Sequence, residues 1–247
     1  YKYSGEGVIT RLIHIHIQVG RTGVLTPVAE LEPVEIQGST VSRATLHNEE
    51  EIKRKDIRLG DYVVVQKGGD VIPKIVSVVR ERRSADNQEF HFPSKCPECG
   101  SPVFRSEAEV AVRCENISCP AQLKRSLEHF ASRNAMDIEG FGEVLVNQLV
   151  DHKVVEKLSD IYRLHIDDLM KLDRMGEKSA QNLLDAVEKS KGNPLHRLLF
   201  ALGIRHVGRQ AAELLANDYK CLEILEFLDY ESIKKLQGIG SVLADSI

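Results

Sequence analysis

Four of the five cysteines in this 247-residue sequence fall within 24 residues, in Cys96-Pro97-Glu98-Cys99-Gly100 and Cys114-Glu115-Asn116-Ile117-Ser118-Cys119-Pro120. A Cys-x-x-Cys turn aims two sulfurs at one point, Gly100 permits the turn that follows, and four soft thiolates suit tetrahedral Zn²⁺ at about 2.3 Å per sulfur. With every position filled by protein, such a site has no opening for water and is expected to be structural. Two disulfides, four free thiols or an iron–sulfur cluster are the alternatives this spacing leaves. Cys221, in Lys220-Cys221-Leu222-Glu223-Ile224-Leu225, reads as a plain core residue. His14 and His16 alternate along a strand pattern and raise the same metal question. No third ligand lies near them in sequence, so they read as two solvent-side residues.

A second chemistry lies in a repeat. Ile138-Glu139-Gly140-Phe141-Gly142-Glu143-Val144-Leu145-Val146 aligns with Leu172-Asp173-Arg174-Met175-Gly176-Glu177-Lys178-Ser179-Ala180. Two further copies are Ile204-Arg205-His206-Val207-Gly208-Arg209-Gln210-Ala211-Ala212 and Leu236-Gln237-Gly238-Ile239-Gly240-Ser241-Val242-Leu243-Ala244. Each keeps an aliphatic residue, a hydrophobe before a glycine, and a small or aliphatic residue four positions later. The shared glycines at 142, 176, 208 and 240 are spaced by 34, 32 and 32, the self-similarity of stacked helical units. An aliphatic residue, a hydrophobe-Gly turn and a new helix make a helix-hairpin-helix. Its glycines let the turn take positive φ and come close to a phosphate, while the N–H groups and dipole of the second helix attract the anion. Gly140, Gly142, Gly176, Gly208, Gly238 and Gly240 are therefore candidate DNA-binding positions, and Arg174 and His206 stand where two copies lack the first glycine. The plain alternative is helical hairpins whose glycines only cap; four phased copies favour nucleic acid. Such contacts hold the backbone and read no bases.

The elements that must carry these sites follow from periodicity. Ile13, Ile15, Ile17 and Val19 alternate with His14, His16 and Gln18, predicting a strand over Gly7 to Val19 with one buried face. Val24–Val28, Val34–Ile36 and Thr40–Leu46 read as short strands, and Glu49–Lys55 as a short helix. Tyr62–Gln66 and Val71–Val79 read as a pair joined by Lys67-Gly68-Gly69-Asp70. These short strands and one small helix predict a small OB-type β-barrel over residues 1–80. A polar, aperiodic connector is expected over 81–92, a four-cysteine zinc module over 93–122, and an all-α domain of four helix-hairpin-helix repeats over 123–247. The fold class is multi-domain α+β. In the barrel, Arg21 and Arg43 are either solvated cations or backbone contacts for DNA. With aromatic residues at 5% and no Trp, a base-stacking platform is thin, so duplex backbone contact fits better than single-strand stacking.

The net charge of −4 excludes a basic, histone-like coat, and residues 131–247 carry 15 Lys/Arg against 19 Asp/Glu. Binding through backbone amides needs few lysines, so this balance is no obstacle. Apolar runs of about five residues fall far short of the roughly 20 that span a bilayer, and no charged-then-apolar leader opens the sequence. A cytoplasmic protein with no membrane partner is expected. The chain starts on Tyr1 with strand-like sequence already under way, which suggests a piece of something longer.

The order of barrel, four-cysteine knuckle and four hairpins resembles the bacterial NAD⁺-dependent DNA ligases. Local motifs agree: Gln18-Val19-Gly20-Arg21-Thr22-Gly23, Thr26-Pro27-Val28-Ala29, the stretch Gly38 to Asn48, Gly69-Asp70-Val71-Ile72-Pro73, and Ser132-Arg133-Asn134-Ala135-Met136. The resemblance covers nearly the whole chain. It implies a C-shaped clamp around nicked double-stranded DNA during replication and repair, acting as a monomer. In that family a lysine takes AMP from NAD⁺, passes it to the 5′-phosphate of the nick, and the 3′-hydroxyl displaces it, with Mg²⁺ or Mn²⁺ assisting. The lysine belongs to a Lys-x-Asp-Gly motif that this sequence lacks, so the chain is expected to be a C-terminal portion that does not self-adenylate. Tyr1-Lys2-Tyr3 resembles the last strand of the adenylation domain, which residues 1–6 would end; Lys2 matches the family lysine that assists adenylyl transfer. Arg21 and Arg43 match barrel positions that touch DNA near the nick. Tyr3-Ser4-Gly5 replaces the family's usual Phe-Pro-Ala and Gly68 its usual Ala, departures at the domain junction. The reading from a different class is a non-catalytic, zinc-containing DNA-binding repair accessory protein; a zinc-stapled protein scaffold is a third.

Overall fold

A computed structural model describes residues 7–68, 72–106, 109–225 and 227–247. The chain forms two compact units, Tyr1–Cys119 and Pro120–Ile247.

In the first unit, β1 (Val8–Val19), β2 (Leu25–Ile36) and β3 (Ser39–Thr45) form an antiparallel meander. The alternation of β1 is broken where the register against β2 shifts between Leu12 and His14. That bulge turns both Leu12 and Ile15 into the core and leaves Ile13 exposed, against the expectation of an unbroken period of two. The short strands expected at Val24–Val28 and Val34–Ile36 are one continuous strand, β2. Pro27 sits opposite Ile17, and the pairing of β2 with β3 shifts between Glu30 and Val34, around Pro33. A proline at an irregularity needs no ladder donor, so it punctuates the sequence without ending the strand.

Helix α1 (Glu49–Lys55) forms where the sequence places it. Asn48 caps it by accepting the Glu51 N–H at 2.9 Å, and three acids open and three bases close it, matching the helix dipole. After β4 (Arg58–Leu59), β5 (Tyr62–Gly68) and β6 (Ile72–Val78) close the barrel in the order β1-β2-β3-β6-β5. All its neighbours are antiparallel except β3 and β6, which run parallel with Thr45 opposite Lys74. The helix between the third and fourth barrel strands completes the OB-type arrangement. Leu12, Leu31, Val63, Val65 and Ile75 fill the interior. The turn expected at Lys67–Asp70 lies partly outside the described residues.

The stretch 81–92 is not a free connector. Its Arg83 grips Asp56 and Asp61, its β7 (Gln88–Glu89) pairs with β4, and Phe90 packs against the barrel core. A segment held by ion pairs shows no hydrophobic period, which is why it reads as a linker. A small hairpin of β8 (Val103–Arg105) and β9 (Val112–Cys114) then carries the cysteine knuckles.

The second unit is helical throughout its described residues: α2 (Pro120–Ala131), α3 (Glu143–Asp151), α4 (Ile166–Leu169), α5 (Glu177–Ser190), α6 (Leu195–Leu202), α7 (Arg209–Tyr219), α8 (Leu222–Leu225), α9 (Tyr230–Lys234) and α10 (Ser241–Ala244). It has two cores. The first two repeats close over Leu127, Phe130, Val146, Leu149, Ile161 and Leu183, the last two over Leu199, Val207, Leu215, Ile233 and Ile239. Helix α6 faces both, with Ala201 in the first core and Leu199 in the second. Cys221 is half-buried at the bend between α7 and α8 rather than in either core. No helix among the described residues is long and apolar enough to cross a membrane.

Candidate functional site: a metal knuckle and a nucleic-acid interface

The Sγ atoms of Cys96, Cys99, Cys114 and Cys119 all lie within 4.8 Å of one another. Cys96 and Cys119 are 4.0 Å apart and Cys99 and Cys114 3.5 Å, far beyond the ~2.05 Å of a disulfide. A tetrahedron with ~2.3 Å metal–sulfur bonds has edges of ~3.8 Å, so the four sulfurs are spaced for one ion. The first knuckle is shaped by the Gly100 N–H donating to the Cys96 carbonyl at 2.9 Å, with Gly100 at φ +70°. The second is shaped by Asn116, whose carbonyl accepts the Cys119 N–H and whose side-chain oxygen accepts the Ser118 N–H, each at 3.0 Å. Burial pushes the Cys99 thiol up, but hydrogen bonds from Ser101, Asn116 and the Cys114 thiol outweigh it and bring it down to about 6. Burial pushes the Cys114 thiol up. Four sulfurs converging with no vacancy for water fit a closed structural site. They are the one such cluster among the described residues: His14 and His16 are exposed and join no third ligand.

The four repeated turns are congruent down to the backbone. Gly142, Gly176, Gly208 and Gly240 cap α3, α5, α7 and α10 with φ of −88°, −88°, −86° and −87°. In each, the hydrophobe before the capping glycine donates to the aliphatic carbonyl three residues back: Phe141 to Ile138, Met175 to Leu172, Val207 to Ile204 and Ile239 to Leu236, at 3.1–3.4 Å. In each, the cap carbonyl accepts the N–H four residues on, in Val146, Ala180, Ala212 and Ala244.

The positive φ expected of the motif's glycines belongs to the first glycine position and not to the shared one. It falls on Gly140 (+85°), Arg174 (+60°), His206 (+65°) and Gly238 (+96°). Arg174 and His206 therefore preserve the turn, at the steric cost of a side chain in the left-handed region. The shared glycines have extended backbone that any residue adopts, and a Cβ built on any of the four meets nothing within 4 Å. Neither backbone angle nor internal packing requires glycine there. The glycine caps offer no side-chain acceptor to the first amides of these helices.

Charge at these starts differs. Glu143 and Glu177 open α3 and α5, whereas Arg209 opens α7. Arg209 joins Arg133, Asn134, His196, Arg197 and Phe200 around a basic depression that sequence reading did not find, because its residues come from three separate stretches. Arg197 is spoken for: it donates to the carbonyls of Ala135 and Arg133, both at 2.5 Å, and ties α6 to the loop after α2.

Arg21 lies in the turn between β1 and β2. Its Nη1 is buried with no hydrogen-bond partner among the described residues, and burial lowers the pKa of the guanidinium. A buried donor without an acceptor is costly. Arg43 is exposed on β3, opposite Glu30 of β2, which itself stands opposite His14 of β1. His16 holds the Glu30 carboxylate at 2.7 Å and lowers its pKa. Lys2 lies outside the described residues.

Family models match along the chain in the same order as these elements. Residues 9–87 match the NAD-dependent DNA ligase OB-fold domain, 95–121 the NAD-dependent DNA ligase C4 zinc finger domain, 132–189 a SAM-like helix-hairpin-helix tandem and 197–247 a helix-hairpin-helix motif. The chain is 51% identical over 247 residues to a DNA ligase of Oceanobacillus iheyensis, 51% over 249 residues to one of Symbiobacterium thermophilum, and 52% over 247 residues to one of Pelotomaculum thermopropionicum. Each match takes in all of this chain but only 36–37% of the relative's length. The barrel and the zinc finger are thus each matched to the NAD-dependent DNA ligases, with the hairpins following in order.

Proposed function

We propose that the chain is the DNA-clamping part of an NAD⁺-dependent DNA ligase that seals nicks in duplex DNA in the cytoplasm, working as a monomer. The observation that carries this is the set of four congruent turns with capping glycines in open space, a spacing that suits phosphate oxygens and serves no packing purpose. Gly140, Gly142, Gly176, Gly208, Gly238 and Gly240 form the backbone contacts. Arg21 and Arg43 hold the backbone near the break. Zn²⁺ on Cys96, Cys99, Cys114 and Cys119 is structural.

Sealing in the whole protein passes AMP from NAD⁺ to an enzyme lysine and on to the 5′-phosphate before the 3′-hydroxyl attacks, with Mg²⁺ or Mn²⁺ assisting. Lys2 assists adenylyl transfer there. This chain carries no Lys-x-Asp-Gly and does not self-adenylate alone.

The test is the affinity of the chain for nicked against intact duplex across a salt series, with zinc measured on the same sample. Roughly four neutralised phosphates predict a loss of about a hundredfold between 50 and 200 mM salt, with the nicked duplex bound more tightly. Salt-independent binding, or none, would overturn the reading in favour of a scaffold for protein partners.

A further inference from the structure

We propose that the zinc module braces the β1–β2 turn of the barrel, with Arg113 as the residue that positions Arg21. This rests on the phosphate-binding reading of Arg21 given above.

The turn is tight but short of support on its own. Gly20 donates to the Val24 carbonyl at 2.8 Å and Gly23 to the Gly20 carbonyl at 2.9 Å, with Gly23 buried at φ +78°. These bonds close the loop and leave the carbonyls of Thr22 and Gly23 to be satisfied from elsewhere. Both are taken by β9. The Cys114 N–H donates to the Gly23 carbonyl at 2.9 Å, and Arg113 Nη1 reaches the Thr22 carbonyl at 3.2 Å and the Thr22 hydroxyl at 3.3 Å. Val24 and Arg113 form an antiparallel bridge that continues the contact as sheet.

Arg113 is itself fixed. Glu109 accepts from its Nε at 2.9 Å, which restrains the guanidinium from its other side. The neighbouring Cys114 divides its duties: its sulfur belongs to the metal cluster and its N–H to the turn. A metal on the four sulfurs thus fixes the end of β9, and β9 fixes the turn that presents Arg21. The zinc module thereby decides where one arginine of the barrel stands.

The experiment compares Arg113→Gln, Arg21→Ala and the double variant of the whole chain. Arg113 is not a sulfur ligand, so zinc content should stay at one ion per chain in Arg113→Gln. Amide exchange at residues 20–24 should rise about tenfold, because two of the turn's outward carbonyls lose or weaken their partners. Chelating zinc from the unmodified chain should give the same local signature. Duplex affinity of Arg113→Gln should fall to near that of Arg21→Ala, with the double variant no weaker than Arg21→Ala alone. Arg113→Lys, which keeps one donor for the Thr22 carbonyl, should recover part of the loss.

Unchanged exchange at 20–24, or affinity losses that simply add in the double variant, would overturn the brace. If Arg21→Ala binds duplex as well as the parent, the phosphate reading of Arg21 is what fails, and exchange alone decides whether Arg113 holds the turn.

Discussion

Arg83 clasps the fully buried carboxylate of Asp61 with two parallel bonds, Nε to Oδ1 at 2.9 Å and Nη2 to Oδ2 at 2.8 Å. Asp61 also accepts the Arg58 N–H and the Asn87 side-chain amide, both at 2.8 Å, so a charge with no access to water is met on every side. Removing one partner of such a pair leaves the other buried and uncompensated. Arg83→Ala should therefore destabilise the barrel by about 3 kcal/mol, and Arg83→Lys by most of that, because an ammonium cannot form the fork. Denaturant melts read from the barrel should show the shift; a loss below ~1 kcal/mol would mean that water replaces the guanidinium.

Acid should loosen the same unit. Glu51 is held down at about 2 by hydrogen bonds from Arg54 and Lys55, and Asp56 is held below the usual carboxylate range chiefly by Arg83. For a carboxyl depressed in the folded state, stability is full above its ordinary value near 4 and is lost as pH falls through the folded one. The melting temperature should drop between about pH 4 and pH 2, and Glu51→Gln should flatten part of that drop. An equally steep acid limb in Glu51→Gln would remove Glu51 from the account.

At the hairpins, folding and binding should part company. Gly142→Asp supplies a side-chain cap and a negative charge at the start of α3, so the helical unit should be as stable or a few tenths of a kcal/mol more so. The same carboxylate occupies the space of a phosphate, and duplex affinity should fall about tenfold or more. Gly208→Asp should cost more affinity than Gly176→Asp, because α7 opens on Arg209 beside a basic depression and α5 opens on Glu177. Equal losses at all four caps would show that local side-chain charge is irrelevant.

The left-handed positions should answer in the opposite sense. Gly238→Ala puts a side chain at φ +96° and within 3.1 Å of Leu214, and should cost about 1–2 kcal/mol. Arg174→Gly relieves the same conformation at +60°, and the gain is offset in part by a freer unfolded chain. Its melting temperature should stay within a few degrees of the parent while its duplex affinity falls if the Arg174 side chain meets phosphate. Unaltered affinity would assign Arg174 to the turn alone.

Much of this is legible in the sequence because it is local. The cysteine knuckles, helix α1 and the four hairpins each announce themselves by spacing within a dozen residues. What is not legible depends on pairs far apart in the chain. Arg83 reads as part of a polar linker until Asp56 and Asp61 are seen beneath it, 27 and 22 residues away. Arg113 reads as one more cation between two cysteines until the turn at Thr22 arrives from 91 residues back. The bulge after Leu12 escapes for a different reason: an isoleucine at position 13 fits an alternating pattern equally well on paper, and only pairing with β2 decides which face it takes. Positive φ falls on a glycine, Gly140 or Gly238, in the first and fourth turns, and is hidden in the second and third because Arg174 and His206 stand in that place.

Helix α6 shows Ala201 to one core and Leu199 to the other. A party wall of this kind makes the two hairpin pairs neighbours in stability rather than a single cooperative block. Damage inside one pair reaches the other by way of this eight-residue helix, so one pair can fray while its neighbour keeps hold of its own stretch of backbone.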